Sequence, residues 1–97
     1  MNPEDPYPVP THRDLDLNRI ELAIHMLSHR QYAVLSWLSH GKTDPEIGEI
    51  LNLGPETVEQ EVITILARMD VESRFTAAAR FLYWSFHRDF SGMEKAG

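Results

Sequence analysis

The sequence contains no cysteine and no apolar run long enough to cross a membrane. Without cysteine, neither a disulfide framework nor a metal site with thiolate ligands can form. A membrane-spanning helix needs about 18 or more consecutive apolar residues. The first residues, MNPEDPYPVP, are polar and acidic, and they lack the basic start and the apolar segment of a signal peptide. We therefore expect a cytoplasmic protein that does not cross a membrane.

Basic residues are scarce as well. Nine Lys and Arg residues stand against fifteen Asp and Glu residues, which gives a net charge of −6. Non-specific binding of nucleic acid depends on Lys and Arg side chains that neutralise phosphates, so this chain should bind poorly unless its basic groups gather on one face. A length of 97 residues with 42% hydrophobic residues fits one small domain that folds alone.

Catalytic and ligand-binding motifs are missing too. The sequence has no glycine-rich loop of the kind that holds a phosphate. His25 and His29 are four residues apart, but the glutamate of a zinc-protease motif is absent, and a helix break near Ser28 would separate the pair. We expect structural or surface histidines, no enzyme activity, no metal site, no cofactor and no small-molecule ligand.

The chain is predicted to be all-α, with an arm, five helices and a tail. Residues 1–13 contain four prolines, which favour a flexible extended arm. The arm is either packed through Tyr7 and Val9 or is a disordered tail. Residues 14–27 form an N-terminal helix, residues 28–88 form the main domain, and residues 89–97 form a loose C-terminal tail. The N-terminal helix has one apolar stripe for its own domain and a second for a neighbour, since apolar residues lie on two sides. The first stripe is Leu17, Ile20, Ile24 and Leu27; the second is Leu15, Leu22 and Met26.

Four helices follow within residues 28–88. Ser28 caps the first, and Gly41 ends it. Thr43 and Glu46 form a capping box that opens a short helix through Leu51, with Ile47, Ile50 and Leu51 facing inward. The third runs from Pro55 to about Met69, and the last from about Arg74 to about His87. The third helix is expected to bury one stripe, made of Val58, Val62, Ile65, Leu66 and Met69.

The last helix has apolar residues on two faces. One stripe is expected to pack on the domain: Phe75, Ala78, Ala79, Leu82 and Phe86. Phe81 and Trp84 point largely the other way, and two exposed aromatics would form a patch typical of interaction sites. In the alternative, the helix at residues 14–27 folds back and covers them. Both hold if helices exchange between protomers.

The stretch LSHRQYAVLSWLSHGKTDPEIGEILNLGPETVEQEVITILARMDVESRFTAAA, residues 27–79, resembles the LuxR-type, or GerE-like, helix-turn-helix domain. The match has no gaps and covers just over half of the chain. It rests on a series of positions spread over the whole stretch. They are Leu27, Ser28, Arg30, Val34, Leu35, Gly41, Glu46, Ile47, Thr57, Val58, Ile65, Leu66, Arg68, Val71, Arg74 and Ala78.

This resemblance implies a four-helix domain, here with an extra N-terminal helix, and a role in bacterial transcription. It also implies that helix 55–69 enters the major groove of double-stranded DNA and that the last helix forms a homodimer. The expected DNA-binding residues are Lys42, Thr43, Glu56, Thr57, Glu59, Gln60, Thr64 and Arg68. The expected dimer-interface residues are Phe81, Trp84, Leu22 and Met26.

The recognition helix departs from the family by being acidic. The family usually carries Lys after Thr-Val and His two residues later, whereas this chain has Glu59 and Glu61. Residues 43–70 contain seven acidic residues against the single base Arg68. Each acid facing a phosphate at about 8 Å costs roughly 2 kcal/mol before salt screening. Acids in the first turn of a helix also interact favourably with the helix dipole. This explanation fits Glu56 well and Glu59 marginally, whereas Glu61 lies too far along the helix.

Helical geometry predicts which side chains meet a partner. Glu56, Gln60, Ile63 and Ala67 line an outward ridge, and Glu59 and Thr64 flank it. Gln60 suits adenine, Thr64 suits a thymine methyl group or a phosphate, and glutamate can accept from cytosine N4.

The basic residues are expected to contact a phosphate or a carboxylate, or to lie in solvent. Lys42 and Thr43 either hold a phosphate or lie in solvent. Arg68 contacts a phosphate or pairs with an acid. Arg30 and Arg74 are expected to tie the fold together through carboxylates.

Two functions fit these features. The first is a stand-alone, dimeric LuxR-type regulator, since the 26 residues before Leu27 are too few for a receiver or ligand-binding domain. The second is a protein-interaction module that kept the helix-turn-helix fold and lost DNA binding because its recognition helix is acidic.

Overall fold

The computed structural model describes the backbone of residues 16–96 and the side chains of residues 16–88. Within that range the chain forms five helices and no strand, which confirms the all-α prediction. The helices are α1 (Leu17–His25), α2 (His29–Ser39), α3 (Asp44–Leu51), α4 (Pro55–Met69) and α5 (Arg74–Ala96). The arm predicted for residues 1–13 lies outside the described residues, as does Leu15 of the second stripe. None of the described helices combines the length and the apolarity needed to cross a membrane.

Helix α5 is longer than predicted. It continues through Ser91 and Gly92 to Ala96, so residues 89–96 belong to a helix, not to a loose tail. A glycine inside a helix costs about 1 kcal/mol relative to alanine, which weakens a helix without ending it. The four residues that follow, from Met93 to Ala96, are all good helix formers.

Polar side chains fix where the first three helices begin. The Asp16 carboxylate accepts a hydrogen bond from the Asn18 amide at 2.9 Å. Ser28 and Gln31 form a reciprocal capping box at the start of α2. The box predicted for α3 is present between Thr43 and Glu46, so the helix starts follow local hydrogen-bond chemistry.

The turn between α3 and α4 depends on a close backbone approach. Asn52 adopts the left-handed conformation, with φ of 58°, and caps α3. The Leu53 amide donates to the Gly48 carbonyl at 2.8 Å. A β-carbon on Gly48 would run into the backbone carbonyl of Leu53. Glycine at this position therefore lets α4 leave α3 after a tight turn, which sets the relation between the two helices.

The core lies where α2, α3 and α4 meet, and α1 and α5 close it. Its most enclosed side chains are aliphatic and come from these three central helices: Val34, Leu35, Ile47, Val58, Val62 and Ile65. Ile20 and Ile24 of α1 join the same cluster, as the first stripe predicted. Ile50, predicted to face inward, is instead 44% exposed.

The predicted orientation of the last helix is wrong. Phe81 and Trp84 are each only 5% exposed, and they belong to the core with Ala77. Phe75 and Phe86, expected to pack on the domain, are 83% and 67% exposed. The face with Phe81 and Trp84 is buried because α5 packs against α2. There the Tyr32 and Phe81 rings meet edge-on at a centroid distance of 5.4 Å. Helix α1 also packs on α5, as the alternative expectation had it.

Candidate nucleic-acid interface

Helix α4 separates a buried face from an open one. Val58, Val62, Ile65 and Met69 are buried in the core. On the opposite side, Glu56, Gln60, Ile63 and Ala67 are all exposed, and Ile63 keeps 52% of its surface in solvent. We call these four residues the α4 ridge. The ridge predicted from helical periodicity is thus open for contact with a partner.

Of the two residues that flank the α4 ridge, Glu59 is exposed and Thr64 is less available. Thr57 and Thr64 are half-buried. The Thr64 hydroxyl donates to the Gln60 carbonyl one turn earlier, at 3.1 Å. Its proton is therefore already used within the helix, and the oxygen remains as an acceptor. Gln60 keeps its amide free among the described residues, so it is the most versatile polar group on the ridge.

Glu61 does not face the partner side. Its carboxylate lies 3.1 Å from Nε of Arg30, and only 14% of its side chain is exposed. Arg30 stands in the first turn of α2, so the ion pair ties α2 to α4. The pairing of Arg30 with a carboxylate confirms its predicted role in the fold.

Arg74 and Asp44 form a second ion pair between distant parts of the chain, and the charge of Glu59 also acts on Arg74. Two guanidinium nitrogens of Arg74 donate to the two Asp44 oxygens, at 2.8 and 3.3 Å. The hydrogen bonds from Arg74 to Asp44 raise the pKa of Arg74, partial burial opposes this, and the charges of Asp44 and Glu59 add to the rise. The pairing predicted for Arg74 is confirmed, with Asp44 as its partner.

The N-terminus of α3 is closed by its own capping box. Glu46 accepts from the Thr43 amide and from the Thr43 hydroxyl, both at 2.9 Å. The hydrogen bond from the Thr43 amide lowers the pKa of Glu46 most, followed by the hydrogen bond from the Thr43 hydroxyl and by the charge of Lys42. Thr43 is exposed and Lys42 half-buried. Because the Thr43 amide already donates to Glu46, it is not available to a phosphate. Lys42 is then the remaining candidate for a phosphate contact at this end of α3.

Arg68 has a role that the sequence did not indicate. Its Nη1 donates to the Met26 carbonyl at 2.7 Å. Met26 caps the C-terminus of α1, where backbone carbonyls lack partners within the helix. Among the described residues Arg68 pairs with no acid. It joins the last turn of α4 to the end of α1.

The residues expected at a dimer interface are divided by the structure. Leu22 and Met26 are each 68% exposed, whereas Phe81 and Trp84 lie in the core of their own chain. The exposed apolar side of α5 consists of Phe75, Leu82 and Phe86, which we call the α5 stripe. These residues were predicted to be buried, so the sequence analysis did not identify them as an exposed apolar surface.

The described residues offer no alternative metal centre. No group of three or more His, Asp or Glu side chains within them is placed to hold a metal ion. Helix α1 ends at His25 and Ser28 caps α2, so His25 and His29 stand on different helices. His25 lies 3.7 Å from Glu21, and both side chains are largely exposed.

Residues 25–81, more than half of the chain, match the model of the family described as bacterial regulatory proteins, luxR family. The chain belongs to the luxR family. Over 52 residues it is 38% identical to the transcriptional regulatory protein LiaR of Bacillus subtilis (strain 168). These residues are 54% of this chain and 25% of LiaR, so the chain spans about a quarter of the length of that relative. No solved structure matches the chain.

The luxR-family match contains α2, α3 and α4 complete, together with the beginning of α5. Helix α1 lies almost wholly before it, since the match starts at His25. The luxR family consists of bacterial regulatory proteins, and the relative LiaR is a transcriptional regulatory protein. Helix α1 is an addition that this chain packs onto the luxR-family helices α4 and α5.

Proposed function

We propose that the protein binds double-stranded DNA in a sequence-specific manner and regulates transcription, with α4 in the major groove. The observation that carries this proposal is the open α4 ridge, which displays Gln60 beside a helix-turn-helix scaffold. A glutamine amide can form two hydrogen bonds with adenine. A helix of this kind presents its exposed side to base edges while the preceding helix crosses the backbone.

The other contacts follow from the same placement. Glu56 and Glu59 are exposed and can accept from cytosine N4, which would make them specificity residues. Lys42 supplies the phosphate contact, since the capping box already engages the Thr43 and Glu46 amides at the start of α3. Thr57 and Thr64 stand on α4 beside the ridge, where the Thr64 oxygen remains as an acceptor, whereas the Thr43 hydroxyl is engaged by Glu46. Arg68 donates to the Met26 carbonyl in the last turn of α4, away from Gln60, so it is not part of the proposed base-reading surface.

Helix α4 would present fewer negative charges to DNA than its composition indicates. Arg30 neutralises Glu61 away from the α4 ridge, and this leaves Glu56 and Glu59 to repel phosphates. Each costs roughly 2 kcal/mol at about 8 Å before salt screening. Specific binding exceeds non-specific binding by about 4–10 kcal/mol, so two such costs weaken binding without abolishing it. The protein should therefore discriminate strongly against random duplexes.

A homodimer is part of the proposal, with its interface on the α5 stripe. Phe75, Leu82 and Phe86 recur at spacings of seven and four residues, which places them on one side of α5. Three large exposed apolar side chains in a row indicate an interaction surface. Leu22 and Met26 form a second exposed apolar pair on α1. In a cytoplasmic regulator, two-fold symmetry at the α5 stripe would present two α4 ridges to a palindromic site.

The second candidate is a protein-interaction module with no DNA function. It is favoured by the net charge of −6 and by the exposed carboxylates of Glu56 and Glu59. In that case the α4 ridge would meet a basic surface of another protein, and its acids would attract this partner.

Duplex selection followed by fluorescence anisotropy tests the proposal. A selected duplex should bind more tightly than a random one, and Gln60→Ala should weaken it by about tenfold, since one bidentate base contact contributes about 1–3 kcal/mol. Asn18→Ala, at an exposed position of α1, is the matched control and should bind as wild type does. If no duplex binds even at low salt, the DNA function is wrong and the interaction module takes its place.

A further inference from the structure

A cavity of about 350 Å³ lies where α1, the end of α4 and α5 meet. Each of the three helices contributes one arginine to its wall: Arg19 from α1, Arg68 from α4 and Arg80 from α5. The buried side chains of Ile20 and Met69 also line it. Three arginines line this one hollow, Arg19 and Arg68 exposed and Arg80 half-buried, in a chain whose net charge is −6.

Two carboxylates share this cavity, and both have places at helix ends. Asp16 caps α1 through its bond with the Asn18 amide, and Asp70 caps α4 in the left-handed conformation. Within residues 16–88, neither Arg19 nor Arg80 takes part in an ion pair. Three guanidinium groups against two carboxylates leave one positive charge in excess.

Arg68 is held in place from outside the cavity. It commits Nη1 to the Met26 carbonyl, and a guanidinium group has five N–H donors in a planar fork. This hydrogen bond restricts the guanidinium group, and within residues 16–88 Arg68 forms no ion pair with a carboxylate. A preorganised donor loses little freedom on binding a ligand.

We propose that this cavity binds the phosphoryl group of a small molecule. Planar guanidinium forks match the oxygens of phosphate in bidentate geometry. The volume falls within the range of roughly 300–1,000 Å³ that is usual for small-molecule sites. Asp16 and Asp70 accept hydrogen bonds from hydroxyl or amino groups, so the ligand carries such groups beside its phosphate. A mononucleotide or a sugar phosphate has this chemistry.

Position favours a small molecule over a DNA backbone phosphate. Arg68 lies twelve residues beyond Glu56, which corresponds to about 18 Å along the helix axis. On the helical wheel it stands about 100° from the centre of the α4 ridge. The cavity is a hollow between three helices at the far end of α4, and the ligand touches α1 as well as the luxR-family helices. Binding there holds α1 against α4 and α5, and it does not depend on the proposed DNA function.

Isothermal titration of the full chain tests the proposal, with pyrophosphate and adenosine 5′-monophosphate as probes at physiological salt. At least one probe should bind saturably at one site per chain. Arg19→Gln and Arg80→Gln should each weaken it by about tenfold, because each removes a charge-assisted hydrogen bond. Arg88→Gln is the matched control, since Arg88 lies on α5 with its guanidinium over the Trp84 ring at 5.2 Å and makes no contact with this cavity. It should bind as wild type does.

Three outcomes would overturn the proposal. The first is the absence of saturable binding of either probe at concentrations up to about 10 mM. The second is equal weakening by Arg88→Gln, which would mean a general effect of charge. The third is a loss of duplex binding in Arg19→Gln and Arg80→Gln while wild type ignores both probes, since that assigns the arginines to a DNA backbone. Circular dichroism establishes that each variant is folded, and the two arginine variants stand independently if one fails to fold.

Discussion

Two phenylalanines on α5 should differ sharply in what they contribute to stability. Phe81 is 5% exposed in the core, and Phe86 is 67% exposed one and a half turns further on. Replacing a buried phenylalanine by alanine typically costs about 3–5 kcal/mol. For Phe86 only about a third of the surface is covered, so at roughly 25 cal/mol per Å² the loss is about 1 kcal/mol. Phe81→Ala should therefore lower the free energy of unfolding by at least 2 kcal/mol more than Phe86→Ala.

Urea denaturation followed by circular dichroism measures both values at low protein concentration, where association contributes little. Sedimentation of the same proteins at high concentration adds a second readout. Phe86→Ala should weaken self-association, because Phe86 belongs to the α5 stripe. Equal losses of stability, or a larger loss for Phe86→Ala, would refute the placement of Phe81 in the core. An association constant unchanged in Phe86→Ala would remove that side chain from a dimer interface.

Four further substitutions test the turn, the charge and the cap. Gly48→Ala should lower the free energy of unfolding by about 1–3 kcal/mol, since its β-carbon meets the Leu53 carbonyl, and a gain in denaturation experiments would contradict this contact. Glu59→Gln should raise affinity for a selected duplex about fourfold at physiological salt, because screening over one Debye length of about 8 Å reduces the repulsion. Glu61→Gln should change it less than twofold; equal gains in anisotropy would oppose this geometry, and a loss for Glu59→Gln would mean that its carboxylate contacts a base. The lowered pKa of Glu46 means that its carboxylate stabilises the fold above its ordinary value of 4.5 and that this contribution is lost as the pH falls through the folded value. The stability difference between wild type and Glu46→Gln should therefore shrink below about pH 4.5 in thermal melts, and a difference constant with pH would exclude the capping role.

Local chemistry made much of the fold predictable. Thr43 with Glu46 and Ser28 with its helix start involve residues only a few positions apart, so the sequence contains the whole interaction. The bounds predicted for α4, Pro55 to Met69, agree with the structure because a proline start and a single apolar stripe leave no competing choice. The pairing of Arg30 and Arg74 with carboxylates was also foreseen, although the partners were not.

Contacts between distant helices set the limit of such predictions. Helix α5 has two apolar faces, and periodicity assigns no preference between Phe81 on one and Phe86 on the other. The packing against Tyr32 of α2 decides it, and this contact links residues 49 positions apart. The bond from Arg68 to the Met26 carbonyl spans 42 positions and involves a backbone atom, so side-chain identity gives no sign of it. The arginine cavity likewise needs three helices in place before its residues come together.

Two ion pairs between helices explain part of the acidity of α4 and its surroundings. Glu61 is paired with Arg30 at the start of α2, and the Arg74 that holds Asp44 also lies in the field of Glu59. Both arginines lie outside residues 43–70, so a charge count over that segment leaves them out. Their ion pairs with Glu61 and Asp44 reduce the local excess of negative charge from six to four. The carboxylates of Glu56 and Glu59 that remain exposed sit where base edges would be read. If α4 enters the major groove as proposed, such a helix would repel an arbitrary duplex and accept one whose cytosine amino groups meet those two acids. Discrimination, and not tight binding, is the property that such an α4 would confer on a luxR-family domain.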